Sequence, residues 1–343
     1  MISGTGVIIG TEPEHSSGKC PLCGSQRLVL KFPNIRDRLG FVEGRFDFHV
    51  CRRCASVSLV PLPKDEEIGS FYPPTYMVTG PTGDGGLPRL LRQLEWRALY
   101  LPVYRAGART VTHITRRRTG RLLEIGCSSG YQLSEFAKAG EFEVYGLDID
   151  AQAVDHARRK LGLNVNRGSL AEANFPASYF DVVILYNVLE HLVHPLEALA
   201  EVNRVLRPDG YLAIKTQIID SVQARLFGQR WVWLNEAPRH VLLASTEGVE
   251  RILASAGMSL VGRRGGPLIE NCVSVALSTM PRATSALAFG RRRPLAGYLS
   301  RVAGFLLGLV AFPLVLFESL FGLSGTMIYV AQKVEAKGAS VRA

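Results

Sequence analysis

The sequence predicts an α/β fold built on a doubly wound parallel sheet. Three observations carry that prediction. From Gly120 to Thr216, short apolar runs of strand length alternate with amphipathic segments of helical period. The first run, Leu122-Leu123-Glu124-Ile125, leads into a glycine-rich turn, Gly126-Cys127-Ser128-Ser129-Gly130. The next run, Tyr145-Gly146-Leu147-Asp148, ends in an acid. Strand, turn, helix, strand and acid in that order build a nucleoside-binding crevice. Glycines let backbone N–H groups approach a ligand, and the acid accepts both hydroxyls of a ribose.

The elements follow in order. Residues 1–18 are polar and glycine-rich, the composition of a frayed tail. Residues 19–62 hold two C-x-x-C knuckles, Cys20-Pro21-Leu22-Cys23 and Cys51-Arg52-Arg53-Cys54, separated by 27 residues. Four thiolates at this spacing suit one tetrahedral zinc, and a four-sulfur shell leaves no position for water, so such a zinc is structural. The other reading is reduced thiol pairs or disulfides. Phe46, Phe48 and Val50 alternate between the knuckles, as in the short hairpins of a zinc ribbon. Residues 63–118 read as a linker, glycine-rich at 80–86, followed by one or two basic amphipathic helices interrupted near Pro102 and Gly107.

Residues 119–343 form the large domain. Strands are expected at 121–126, 143–148, 165–167, 180–185, 210–216, 259–264 and 327–334, and helices at 131–139, 151–161, 195–205 and 245–256, the last capped by Ser245. An apolar helical insertion occupies 300–325. Its sixteen-residue uncharged run, 302–317, is broken by Pro313 and falls short of the ~20 residues of a bilayer span. A shallow interfacial hairpin, a buried insertion and a dimer face all fit it.

The chain has 343 residues, 47% hydrophobic and 20% charged, a composition that packs and does not stay disordered. The net charge of +10 is concentrated: nine arginines and one glutamate lie between Arg89 and Arg121, and Arg291-Arg292-Arg293 and Arg301 form a second group. Such blocks suit nucleic acid, anionic lipid or a phosphorylated substrate. No RNA-binding motif or stacking platform accompanies the arginines, which disfavours nucleic acid. The N-terminus lacks the pattern of a secretory signal, so the expected location is cytoplasmic, with peripheral contact at the inner membrane face as an extension of that reading.

Glu124, Gly126 and Gly130 are spaced E-x-G-x-x-x-G, without a phosphate-binding lysine, and resemble motif I of the class I S-adenosylmethionine methyltransferases. Gly168-Ser169-Leu170, Phe175-Pro176, Phe180-Asp181-Val182-Val183, Asn187-Val188-Leu189-Glu190-His191 and Leu206-Arg207-Pro208-Asp209-Gly210 extend the resemblance over about residues 121–216. It implies a Rossmann-like methyltransferase sheet. It implies that Glu124 holds the loop or accepts from the cofactor's amino group, that Gly126, Cys127 and Gly130 pass close to the methionyl part, and that Asp148 binds the ribose. Ile149 would pack on adenine, Ser169 would stand where the family often has an acid near the adenine amine, and Asn187 would be a further cofactor-binding residue.

A four-cysteine ribbon, then Phe71-Tyr72-Pro73-Pro74-Thr75-Tyr76, then such a core resembles the zinc-ribbon methyltransferases of bacterial glycan and natural-product pathways. Sugar C-methyltransferases of that set carry a Glu-His pair before an aromatic-Ser and a helix. Here Arg239-His240 precedes Ser245, so the histidine is present and the glutamate is replaced. The resemblance implies His191 and His240 as acid–base residues, while Arg239 reads either as facing an anionic substrate group or as a surface ion pair. The expected reaction is methyl transfer from S-adenosylmethionine to a sugar or glycan-linked acceptor, O- or C-linked, with a lipid-linked acceptor included. A quinone or other small molecule is the rival acceptor. A nucleic-acid-binding or membrane-surface module on the same fold is the rival class.

Overall fold

The structure, a computed structural model, describes residues 18–72, 90, 93–94, 96–280 and 294–334, excluding the side chains of 294–302. The N-terminal tail through residue 17, the 80–86 linker, and Arg291 to Arg293 lie outside the described residues. In chain order the elements are β1 (Leu28–Ile35), β2 (Phe46–Cys51), β3 (Val57–Leu59), α1 (Leu101–Thr115), β4 (Thr119–Ile125), α2 (Tyr131–Ala139), β5 (Glu141–Asp148), α3 (Ala151–Leu161), β6 (Asn164–Arg167) and α4 (Leu170–Ala173). They continue as β7 (Phe180–Tyr186), α5 (Pro195–Val205), β8 (Leu206–Gln217), α6 (Val222–Phe227), β9 (Leu242–Leu243), α7 (Thr246–Ser255), β10 (Met258–Gly265), α8 (Leu268–Thr279), α9 (Pro294–Leu320) and β11 (Thr326–Lys333).

The central sheet has the order β10-β11-β8-β7-β4-β5-β6. The five strands β6, β5, β4, β7 and β8 run parallel, and β11 pairs antiparallel with both β8 and β10. Strand β7 is FDVVILY with every residue buried, as a central strand covered on both faces requires. From β4 the chain winds one way to β5 and β6, then crosses back to β7 and β8. The reversal at β4 opens a crevice at the strands' carboxyl ends. Local chemistry agrees with the fold. Asp150 caps α3 by accepting from the N–H groups of Gln152 at 2.7 Å and Ala153 at 3.1 Å, and Gly162 ends that helix at φ +66°.

Four expectations change. Helix α1 is not interrupted at Gly107. Pro102 sits in its first turn, where no N–H is needed, and Gly107 is there for contact: a Cβ would come within 2.9 Å of the Tyr186 ring. Helix α9 passes Pro313 without a break and is one helix, not a hairpin. Helix α8 was not expected, because its apolar run reads equally well as a strand and only packing against α9 decides. Strand β8 begins at Leu206, so Asp209, at φ +59°, sits in an irregularity of a longer strand.

The knuckle region is not self-contained. Strands β1, β2 and β3 form an antiparallel sheet whose fourth member, β9, comes from the large domain. Ser245 caps α7 by accepting from the Gly248 N–H at 2.9 Å, and its hydroxyl also donates to the Cys54 carbonyl. Arg239 provides the strongest tie. It is 1% exposed and bidentate to Asp37, at 2.6 and 3.0 Å, with Glu236 3.0 Å from Nη2. Burial alone would push the Asp37 carboxyl up. The guanidinium and the N–H groups of Leu39 and Val42 hold it below its ordinary value instead. Arg239 therefore does not face a substrate anion: the ion-pair reading holds, buried and not at the surface, because two carboxylates of the chain occupy it.

The basic block is partly neutralised in the same way. Arg105 pairs with Glu135 at 3.1 Å, Arg117 with Asp181 at 3.3 Å, and Arg121 with Glu143 at 3.3 Å.

Candidate active site

The carboxyl ends of β4, β5, β7 and β8 open into one cavity of about 920 Å³. Of the residues expected in cofactor binding, Glu124, Gly126, Cys127, Asp148, Ile149, Ser169 and Asn187 line it, whereas Gly130 does not and only its neighbours Ser129 and Tyr131 do. Gly130 itself lies just behind, at φ +81°, where a Cβ would meet Leu163 at 2.7 Å and Ala157 at 2.9 Å. Gly126 turns the chain at φ +69° and donates to the Leu147 carbonyl at 2.8 Å. Both positions exclude a side chain by conformation and by close packing, since a Cβ on Gly126 would meet Val188 at 2.5 Å.

Asp148 organises the turn. Its Oδ2 accepts the Ser128 N–H at 2.7 Å and its Oδ1 the Asp150 N–H at 2.8 Å. Burial raises its pKa, opposed by these N–H donors. Each carboxylate oxygen keeps a further acceptor site. Glu124 is buried, and its Oε2 has no hydrogen-bond partner among the described residues. Burial pushes its carboxyl well above the ordinary range, against the pull of Lys215. An uncompensated buried carboxyl at a cavity wall suits a cationic amino group. Asn187 presents a second orphan, its Oδ1, from a left-handed backbone at φ +55°.

One expected contact, that of Ser169, is altered. Ser169 does line the cavity, but its hydroxyl donates to Glu172 Oε2 at 2.9 Å and accepts the Glu172 N–H at 3.3 Å, closing a capping box. Its side chain is committed to α4. Cys127 is 3% exposed and packs against Gly146, where a Cβ would lie 2.8 Å from its sulfur. Ile149, 58% exposed, offers an apolar face at the rim.

The other half of the cavity is polar and aromatic. His191 and His240 meet there with ring centroids 4.8 Å apart. His191 Nδ1 lies 2.9 Å from the Arg239 carbonyl, and His240 Nδ1 lies 2.8 Å from the Trp233 carbonyl. A carbonyl only accepts, so Nδ1 carries the proton in each ring and Nε2 keeps a lone pair. Burial lowers the pKa of both, His240 well below the usual value, so both stay neutral. Glu190, fully buried, accepts from the Thr216 hydroxyl at 3.0 Å and leaves Oε1 without a partner among the described residues. Burial pushes its carboxyl up to about 7. Glu190, His191 and His240 bring donor atoms within 4.8 Å of one another.

Residues 94–262 match a methyltransferase-domain family. Over that stretch, just under half of the chain, it carries an S-adenosylmethionine-dependent methyltransferase domain. A Mycolicibacterium smegmatis protein named "Probable S-adenosylmethionine-dependent methyltransferase" is 33% identical over 137 residues, 39% of this chain and 50% of that one. A ubiquinone biosynthesis O-methyltransferase of Actinobacillus pleuropneumoniae is 27% identical over 131 residues, covering 34% of this chain and 56% of that one. The match thus spans about half the length of these relatives. The solved cyclopropane synthase MmaA2 of Mycobacterium tuberculosis aligns at 16% identity with a TM-score of 0.46, covering 66% of this chain and 83% of that one.

The methyltransferase domain also draws in residues that the sequence reading did not assign. Tyr72, from the segment ahead of the domain, places its hydroxyl 2.9 Å from His191 Nδ1. Its signal was the Phe71-Tyr72-Pro73 stretch. Glu190 was visible only as the neighbour of His191. Gln217 and Trp233 line the same wall, and Gln217 Oε1 and Trp233 Nε1 have no partner among the described residues. Nothing in the sequence marks Gln217, because only the length of β8 brings it to the cavity.

At the far side of the ribbon, Cys20 Sγ lies 3.6 Å from Cys54 Sγ, and Cys23 Sγ lies 3.6 Å from Cys51 Sγ. Sulfurs bound to one tetrahedral zinc at 2.3 Å sit about 3.8 Å apart. The four free thiols therefore form a donor set of the right size for a metal.

Proposed function

We propose that this protein transfers the methyl group of S-adenosylmethionine to a hydroxyl or carbon of a sugar or glycan-linked acceptor. One observation carries the reading: a single cavity joins the Glu124–Asp148 end, suited to the cofactor, to the polar and aromatic His191–His240 end. Glu124 would hold the amino group, Asp148 the ribose and Ile149 the adenine. Gly126 and Gly130 would let the turn pass close to the methionyl part. At the other end, unpartnered groups on Glu190, Gln217 and Trp233 match the many hydroxyls of a sugar, and the rings of Tyr72, Trp233 and the histidines match its apolar face.

In the transfer, the acceptor oxygen attacks the sulfonium methyl in line. The carbon–sulfur bond breaks with its electron pair going to sulfur, which leaves S-adenosylhomocysteine. The hydroxyl proton passes to a histidine Nε2. His191→Asn and His240→Asn keep a donor for the backbone carbonyl and remove Nε2. Each variant is expected to bind S-adenosylhomocysteine normally and to lower kcat about 100-fold. The assay follows methyl-labelled cofactor into nucleotide-linked sugars and lipid-linked glycans. Label passing only to transfer RNA would overturn the reading.

A lipid-like acceptor is the second reading. The relative named for ubiquinone biosynthesis supports it, and so does the apolar exposed face of α9.

The four thiols are proposed to hold one structural zinc, which would pin β2 and β3 against α7. Purified protein is expected to carry one zinc per chain by atomic emission. Cys51→Ser is expected to lose that metal and lower the unfolding midpoint. Zinc-free wild-type protein with unchanged stability would remove the metal from the account.

A further inference from the structure

Helix α9 is apolar on both faces. One stripe, with Ala311 and Val315, is buried against Cys272 and Val275 of α8. The opposite stripe holds Phe305, Leu306, Leu309, Val310, Phe312 and Phe317, all exposed, with Val310 78% exposed. A surface helix of a soluble domain puts charged residues on that side. Among the described residues, 303–320 is long and apolar enough to cross a membrane, yet only 17% of it is buried. It does not cross one here, because it packs lengthwise on α8 and the chain returns directly to the central sheet at β11.

We propose that α9 seats the protein on the surface of an anionic bilayer. Two further observations choose this occupant. The first is charge. Between Met280 and Phe317 the only charged residues are arginines: Arg282, Arg291, Arg292, Arg293 and Arg301. A basic run that in sequence leads into an apolar helix matches anionic headgroups above acyl chains. The second is a groove of about 800 Å³ beside α9, lined by Leu226, Phe227, Val275, Leu307, Val310 and Leu314. Arg230, exposed, lines the same groove. Three residues further on, Trp233 lines the cofactor cavity, a distance of at most about 11 Å along the chain. An apolar chain in the groove with a phosphate at Arg230 would leave its head group at the acceptor end of the cavity. The substrate class is then an amphiphile with an anionic link. That last step rests on the proposed methyl transfer; the docking does not.

Flotation with vesicles tests the docking. Wild-type protein is expected to rise with phosphatidylcholine vesicles containing phosphatidylglycerol, more than with phosphatidylcholine alone, and less at high salt. The triple variant Phe305→Glu, Leu306→Glu, Leu309→Glu alters only exposed positions outside the groove. It is expected to bind vesicles more than tenfold less, while calorimetry with S-adenosylhomocysteine matches wild type, if wild type binds it. Wild-type protein that stays unbound overturns the proposal, as does a triple variant that floats equally well. A wild-type dimer that the triple variant splits, with no flotation, assigns the face to a second copy and also overturns it. Loss of S-adenosylhomocysteine binding by wild type would sink the methyl-transfer reading while leaving the flotation result to stand.

Discussion

Asp148→Ala is expected to weaken S-adenosylhomocysteine binding by about 100-fold or more. A charged acceptor meeting two ribose hydroxyls is worth about 1.5–3 kcal/mol per bond, and each 1.4 kcal/mol is tenfold in affinity. The substitution also removes the acceptor of the Ser128 and Asp150 N–H groups, so the turn that faces the cofactor loses its anchor. Asp148→Asn separates these contributions. Its amide oxygen can still accept one N–H, while its NH₂ opposes the other, so affinity should fall between wild type and alanine. Because burial raises the Asp148 pKa, wild-type binding should weaken on acidification sooner than an ordinary aspartate would allow. The charged form accepts the hydroxyls, and protonation removes that acceptor. Calorimetry at several pH values reads both effects. Affinity unchanged in the alanine variant would remove Asp148 from the cofactor site.

Arg239→Met should lower stability by about 3–5 kcal/mol. Removing one partner of a buried ion pair leaves the others charged and desolvated. Here two carboxylates, Asp37 and Glu236, would be stranded. Arg239→Lys should fall between, because an ammonium cannot reproduce the bidentate geometry. The measurement is the urea midpoint at constant slope. The reading carries a second consequence. Asp37 lies in the turn after β1 and Arg239 directly precedes His240, so the loss should be felt as loosening of the ribbon against the loop that carries His240. A shift below about 1 kcal/mol would mean that the triad contributes specificity of pairing and little stability.

The half of the cavity that holds Glu124 and Asp148 was legible because it is local. Strand β4, the glycine turn, α2 and β5 follow one another within thirty residues, and each glycine and acid has a role fixed by backbone geometry. The same holds for the Ser245 cap. Hydrophobic period alone placed α2, α3, α5 and the five parallel strands to within a few residues, apart from the early start of β8 at Leu206.

Where the reading failed, the deciding partner was distant in sequence. Arg239 reads equally as a substrate-facing charge and as a surface ion pair until Asp37, 202 residues away, is brought against it. Ser169 reads as an adenine contact until its own helix claims the hydroxyl. Gly107 reads as a helix breaker until Tyr186 packs on it. The ribbon reads as a separate module until β9 completes its sheet.

By itself, then, the sequence determined the alternating α/β order, the glycine turn with its terminal acid, and the four-cysteine spacing. These depend on backbone conformation and period, which act over a few residues. Only the tertiary structure decided that His191, His240 and Glu190 share one wall, that Arg239 is spent on internal carboxylates, and that α9 keeps an apolar face outward. Those outcomes depend on which desolvated groups meet, and pairing between distant segments is set by packing of the whole chain.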